Sequence, residues 1–104
     1  MAVIDIDDSN VKENLNQNEK VIVKYYASWC GSCRLIKPKY KRLSNNERFE
    51  GITFLDTDAE HNPEARKLAG VQSLPYFAIF KNGELVEGLS TSKEESIVEL
   101  LEKL

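Results

Sequence analysis

Two cysteines and one histidine are all the thiol and imidazole side chains in this 104-residue chain. Structural zinc takes four ligands, so the chain alone cannot build such a site; only one shared between two copies would complete it. No apolar run approaches the roughly 20 residues that cross a bilayer, so no membrane span is expected. Positive charge is not in excess: 14 Lys and Arg stand against 17 Asp and Glu, for a formal net charge of -3. Bulk charge therefore draws the chain to neither nucleic acid nor an anionic membrane. The acidic run DIDD at 5–8 is too short to act as a tail. There is no repeat, low-complexity segment or linker. The opening MAVIDIDDSN has neither the basic start nor the apolar stretch of a signal peptide, so a cytoplasmic protein is expected. In a reducing compartment a structural disulfide is not expected, and a close pair of cysteines points to catalysis or metal binding.

What is present suits a single domain over 1–104. Hydrophobic residues make up 41% and charged residues 30%, enough for one core of two or three layers. KVIVKYYA at 20–27 is a continuous β-branched and aromatic run, the pattern of a strand covered on both faces, and GITFLDTD at 51–58 reads the same way. PYFAIFK at 75–81 is another strand, followed by the hairpin signal Asn82-Gly83 and ELVEG at 84–88, while VID at 3–5 suggests a short first strand. Helical signals alternate with these. Ser9 or Asp8 is placed to cap a helix over 9–17. Cys33, Ile36, Tyr40 and Leu43 share one face of a helix over 30–44, with Pro38 inside it and a kink expected there. Asn62-Pro63 reads as a helix start. Ser92 and Glu95 form a capping-box pattern ahead of Ile97, Leu100, Leu101 and Leu104. The order predicts an α/β fold: a mixed sheet, parallel with an antiparallel edge, and helices on both faces.

The two cysteines lie in WCGSC at 29–33, directly after the strand run. Thiol–disulfide exchange needs a thiolate that attacks and a second thiol that resolves the mixed disulfide. A three-residue offset at a helix start brings the two sulfurs within bonding reach. Cys30 then meets unpaired backbone N–H groups and the positive end of the helix dipole, which favour its thiolate. Cys33, one turn in, is expected to be more buried and to keep its proton longer. Position thus assigns attack to Cys30 and resolution to Cys33. Two thiols packed in a core would not call for Gly31 and Ser32 between them, nor for Trp29 beside them.

These residues resemble the thioredoxin family over essentially the whole chain. The likeness rests on VIVKYYASWCGSC, on Pro38, on the Asn62-Pro63 helix start, on SLPYF at 73–77 and on FKNGELV at 80–86. It implies the thioredoxin fold and a protein disulfide oxidoreductase that needs no cofactor and acts as a monomer. It implies a cis Leu74–Pro75 bond facing the cysteines, where local reading alone allows Pro75 as a plain strand start. It implies that Trp29, Gly31, Ser32, Leu74 and Pro75 receive an extended client chain, with backbone pairing at Leu74. The implied partners are proteins carrying disulfides and an NADPH-dependent flavoprotein thioredoxin reductase as electron donor. Two other readings stay open: a specialised isomerase-like or oxidising exchanger, and a binding module that docks a chain with little turnover.

The chain departs from the family pattern at several places. Ser32 stands where thioredoxins carry proline, which frees the helix start and adds a hydroxyl near the thiolate; a weaker reductant is expected. Lys24 stands where the family has a buried aspartate that assists proton transfer. Buried and neutral, Lys24 would be a base; charged, it would stabilise a thiolate; its stem could also simply carry it to solvent. The family's partner lysine aligns with Phe54, which implies that the usual buried pair is lost. Asp56 and Asp58 share a strand face with Phe54, and either could pair with Lys24, though both also read as ordinary strand-end residues. Tyr25 and Tyr26 read as packing and His61 as an exposed loop residue. The glycine expected after the last strand has no clear counterpart: Gly88 is near, but Ser90 fits the place as well.

Overall fold

A computed structural model describes residues 2–104. The elements are β1 (Ile4–Asp5), α1 (Val11–Gln17), β2 (Lys20–Tyr26), α2 (Gly31–Ser44), β3 (Ile52–Asp58), α3 (Pro63–Ala69), β4 (Tyr76–Lys81), β5 (Glu84–Ser90) and α4 (Glu94–Leu101), with a 3-10 turn at Glu47–Phe49. The sheet order is β1-β3-β2-β4-β5. β1, β3 and β2 run parallel, as crossovers through helices require. β4 runs antiparallel to β2, and β5 to β4, so the antiparallel part takes in two strands rather than the edge alone.

Alternation along the central strands builds two cores. Val21, Val23 and Tyr25 point to the face covered by Val11 and Leu15 of α1 and Ala65 and Ala69 of α3. Ile22 and Phe54 point to the other face, against Ile36, Tyr40 and Leu43 of α2 and Ile97 and Leu100 of α4. Because both faces are covered, β2 is buried along its interior, which accounts for its unbroken apolar sequence. β5 lies at the edge, mostly exposed, and its Glu84 and Glu87 guard that edge. Asn82 (φ 53°) and Gly83 (φ 82°) both take the left-handed backbone that the tight hairpin demands.

Two helix starts differ from the sequence reading. α1 begins after Asn10 with no side-chain cap; Asp8 instead reaches α3, where its oxygens accept from the N–H groups of Ala65 (2.8 Å) and Glu64 (3.1 Å). Ser92 caps nothing: Lys93 holds the N-cap position of α4 without a side-chain bond, and Thr91 Oγ1 accepts from its N–H. Pro63 takes the first position of α3 as its sequence indicated, and α2 continues through Pro38.

Candidate active site

The disulfide sits where β2 hands over to α2. Ala27, Ser28 and Trp29 carry the chain off the sheet, and Cys30 is the N-cap residue of α2. Cys30 and Cys33 are joined, with Cα atoms 5.2 Å apart. Cys30 Sγ accepts the backbone N–H of Cys33 at 3.2 Å, so the first turn of the helix is capped by the Cys30 sulfur itself. Ser32 Oγ lies 3.7 Å from the same sulfur. The cysteines are buried almost equally, 5% and 4% exposed, so Cys33 is not the markedly deeper one that its position suggested.

Two segments pack on the pair. Tyr26, Ala27 and Leu74 pack on it. The Leu74–Pro75 bond is cis, and Pro75 is buried. Ser90 Oγ and the Thr91 N–H both donate to the Pro75 carbonyl, at 3.3 and 3.2 Å, so these residues and not Gly88 stand against that proline. Gly88 serves another purpose: a Cβ there would meet ring carbons of Tyr76 at 2.8 Å. Trp29 is 66% exposed, its Nε1–H donating to Glu60 at 2.5 Å, and Leu35 is 75% exposed one turn into α2. Gly31 and Ser32 are exposed between them. Of the residues expected to receive a client, Leu74 packs on the disulfide from a distant segment, while Trp29, Gly31 and Ser32 adjoin it in sequence.

On the other side a cleft of about 610 Å³ reaches Cys33. Lys24, Asp56, Asp5, Lys37 and Tyr40 line it. Lys24 and Asp56 are partners in the β2–β3 register, and Phe54 pairs with Ile22. The position facing Lys24 is therefore Asp56 and not Phe54, so Lys24 does have a carboxylate partner. Lys24 does not escape to solvent; its side chain is 3% exposed, and Nζ lies 3.8 Å from Asp56 Oδ2. The ammonium also sits over the rings of Tyr26 (5.5 Å) and Tyr40 (5.3 Å), contacts that favour a cation. Burial lowers the Lys24 pKa against the pull of Asp56. Asp56 is pushed up to about 6 by burial and by its hydrogen bond with Asp5, with Lys24 acting in the opposite direction.

Asp58 has a separate job. It accepts from the backbone of Glu60 and His61 and from His61 Nδ1 (2.9 Å), which fixes the turn after β3. His61 is exposed, with its pKa raised by the Asp58 hydrogen bond. Among the described residues no three His, Cys, Asp or Glu side chains gather as metal ligands, and no helix is long and apolar enough to cross a membrane. The reading of the sequence missed Lys37, Asp5 and Glu60. Lys37 was within reach, one helical turn beyond Cys33; Asp5 and Glu60 arrive from distant segments and leave no local signal.

The comparisons agree with this geometry. The thioredoxin family model matches residues 2–103. Thioredoxin-1 of Schizosaccharomyces pombe is 35% identical over 95 residues, covering 88% of this chain and 90% of that protein. The oxidised thioredoxin of Plasmodium falciparum has the same fold with a TM-score of 0.87 at 30% identity, over 98% of this chain and 97% of that one. The thioredoxin f2 complex with ferredoxin:thioredoxin reductase gives a TM-score of 0.89 at 28% identity, over 98% and 94%. With a Cys-x-x-Cys disulfide at the start of α2 and a cis Leu74–Pro75 bond whose leucine packs on it, this chain belongs to the thioredoxin family and is a thiol–disulfide oxidoreductase that works by dithiol–disulfide exchange.

Proposed function

We propose that the chain is a cytoplasmic, monomeric reductant of protein disulfides in which Cys30 attacks and Cys33 resolves. The observation that carries this is the capping of α2 by Cys30. Once the disulfide is reduced, the Cys33 N–H and the helix dipole face the Cys30 sulfur, and the Ser32 hydroxyl is near enough to donate to it. The Cys30 thiolate attacks one sulfur of a client disulfide and expels the other as a thiolate. Cys33 then attacks Cys30 Sγ, the Cys30–Cys33 bond forms and the second client thiol leaves. Two electrons pass from the chain to the client.

Trp29, Gly31, Ser32, Leu74 and Pro75 form the surface on which an extended client lies, with Leu74 offering backbone for pairing. Lys24 tunes the site through its charge. Electrons return through a thioredoxin reductase. The solved complex of a similar thioredoxin with ferredoxin:thioredoxin reductase supports a reductase partner; the NADPH-dependent flavoprotein type follows from the family resemblance and the cytoplasmic reading.

Two measurements test the proposal. Cys33→Ser should trap clients as mixed disulfides on Cys30. Unchanged partner binding after loss of both cysteines, with no trapped client, would instead mark a docking module. The reduction potential, measured against a glutathione buffer, should lie below the cytosolic glutathione poise of roughly -220 mV or lower. A potential at or above that poise would sink the reductant reading in favour of an isomerase-like or oxidising exchanger.

A further inference from the structure

Closing the Cys30–Cys33 bond requires the Cys33 thiol to lose its proton, yet Cys33 is only 4% exposed. The cleft that reaches it holds the protein groups placed to accept that proton. From α2 the cleft receives Arg34, Lys37 and Lys41, all exposed cations. Tyr40 of α2 and Tyr26 of β2 are phenols, weaker acids than usual because they are buried, so neither is an anion at neutral pH. Lys24 of β2 lies over two aromatic rings and beside a carboxylate, surroundings that keep it a cation. Asp5 of β1 is exposed at the sheet edge, facing the Tyr26 hydroxyl at 3.4 Å. One carboxylate remains on the inner wall: Asp56 of β3, its side chain 15% exposed.

We propose that Asp56 takes up the Cys33 proton across the cleft they share, and that Lys24 is the positioning residue that holds the Asp56 carboxylate there. In the mixed disulfide between Cys30 and a client, the Cys33 S–H bond breaks and its proton passes to Asp56. The Cys33 sulfur bonds to Cys30 Sγ, and the client sulfur leaves as a thiolate. Asp56 then returns its proton to solvent, where the thiolate is protonated. With its pKa at about 6, Asp56 is ionised at neutral pH and is still a stronger base than an ordinary carboxylate. Asp5 raises that value, and Lys24 and Lys37 lower it.

The inference rests on Cys33 as the resolving thiol; trapping by Cys33→Ser, whatever Asp56 does, tests that reading separately. The experiment is an acid-quenched single turnover of the fully reduced chain against insulin from about pH 5 to 8, reading the mixed disulfide on Cys30. The wild type should resolve it more slowly below an inflection near the Asp56 pKa, about 6. Asp56→Asn should accumulate mixed disulfide at pH 7, slow resolution about 100-fold and lose the inflection. Lys24→Met should slow resolution and move the inflection to higher pH, because Lys24 lowers the Asp56 pKa. Asp5→Asn should move the inflection to lower pH, and this keeps the test alive should Asp56→Asn fail to fold. Resolution by Asp56→Asn within about twofold of wild type with the inflection intact, or an unmoved inflection in Asp5→Asn, would overturn the role of Asp56. An unmoved inflection in Lys24→Met would overturn that of Lys24.

Discussion

Lys24 shows how one side chain can be misjudged from its own position and settled by its neighbour. In the sequence it is a lone cation inside an apolar strand, with three possible states. In the fold it has a carboxylate at 3.8 Å and two rings around it, and the question becomes what removing it does to Asp56. Taking one partner from a fully buried ion pair costs about 3–5 kcal/mol. Asp56 keeps some solvent, so we expect Lys24→Met to cost about 2 kcal/mol at pH 7, measured by urea unfolding. The sign of its pH dependence follows from Asp56. In the folded chain Asp56 titrates at about 6, against 3.8 unfolded, so its ionisation opposes folding above that window and has no effect below it. Lys24 lessens that opposition only while Asp56 is charged. The cost of Lys24→Met should therefore shrink as pH falls from 7 to 4; a cost that grows with acid would contradict the pairing.

Elements show the limits of local reading most plainly at their ends. Asp8 stands beside α1 in the chain, but its carboxylate caps α3, while Asn62 Oδ1 accepts the Asp8 N–H at 2.9 Å. The start of one helix is thereby tied to the approach to another, 54 residues away. We expect Asp8→Ala to cost about 1–2 kcal/mol in thermal or urea unfolding, as loss of a helix cap does. Ser92→Ala should stay within about 0.5 kcal/mol of wild type, because Ser92 is exposed and makes no cap. Periodicity, by contrast, located the elements well. The apolar runs became the central strands, and Cys33, Ile36, Tyr40 and Leu43 do share the buried face of α2.

Over the whole molecule charge is unevenly spread. The chain is acidic overall, yet α2 carries Arg34, Lys37, Lys39, Lys41 and Arg42 and no carboxylate. Of these only Arg42 meets an acid, Glu94, among the described residues. The helix that bears the disulfide therefore presents a positive face in a protein of net charge -3. Such a field speeds encounter with partners of opposite sign and is screened by salt. We expect exchange with an acidic disulfide peptide to slow by up to about tenfold between low and physiological ionic strength, and exchange with a basic peptide to gain or hold steady. Equal salt dependence for both would show that the face does not steer.

The sequence by itself determined the strands, the helices, their alternation and the position of the redox pair. Those depend on contacts within one element: a buried strand needs continuous apolar residues, and two thiols at the start of a helix need only three residues between them to meet. Tertiary structure decided which strand faces which and in what register. The β2–β3 register brought Asp56 and not Phe54 to Lys24; the packing of the elements carried Asp8 to α3, set Ser90 and Thr91 against Pro75, and left the two cysteines almost equally buried. Side chains two apart on a strand point the same way, so Phe54, Asp56 and Asp58 are equivalent candidates by alternation. Only the stagger between β2 and β3, fixed by packing on both faces of the sheet, selects among them.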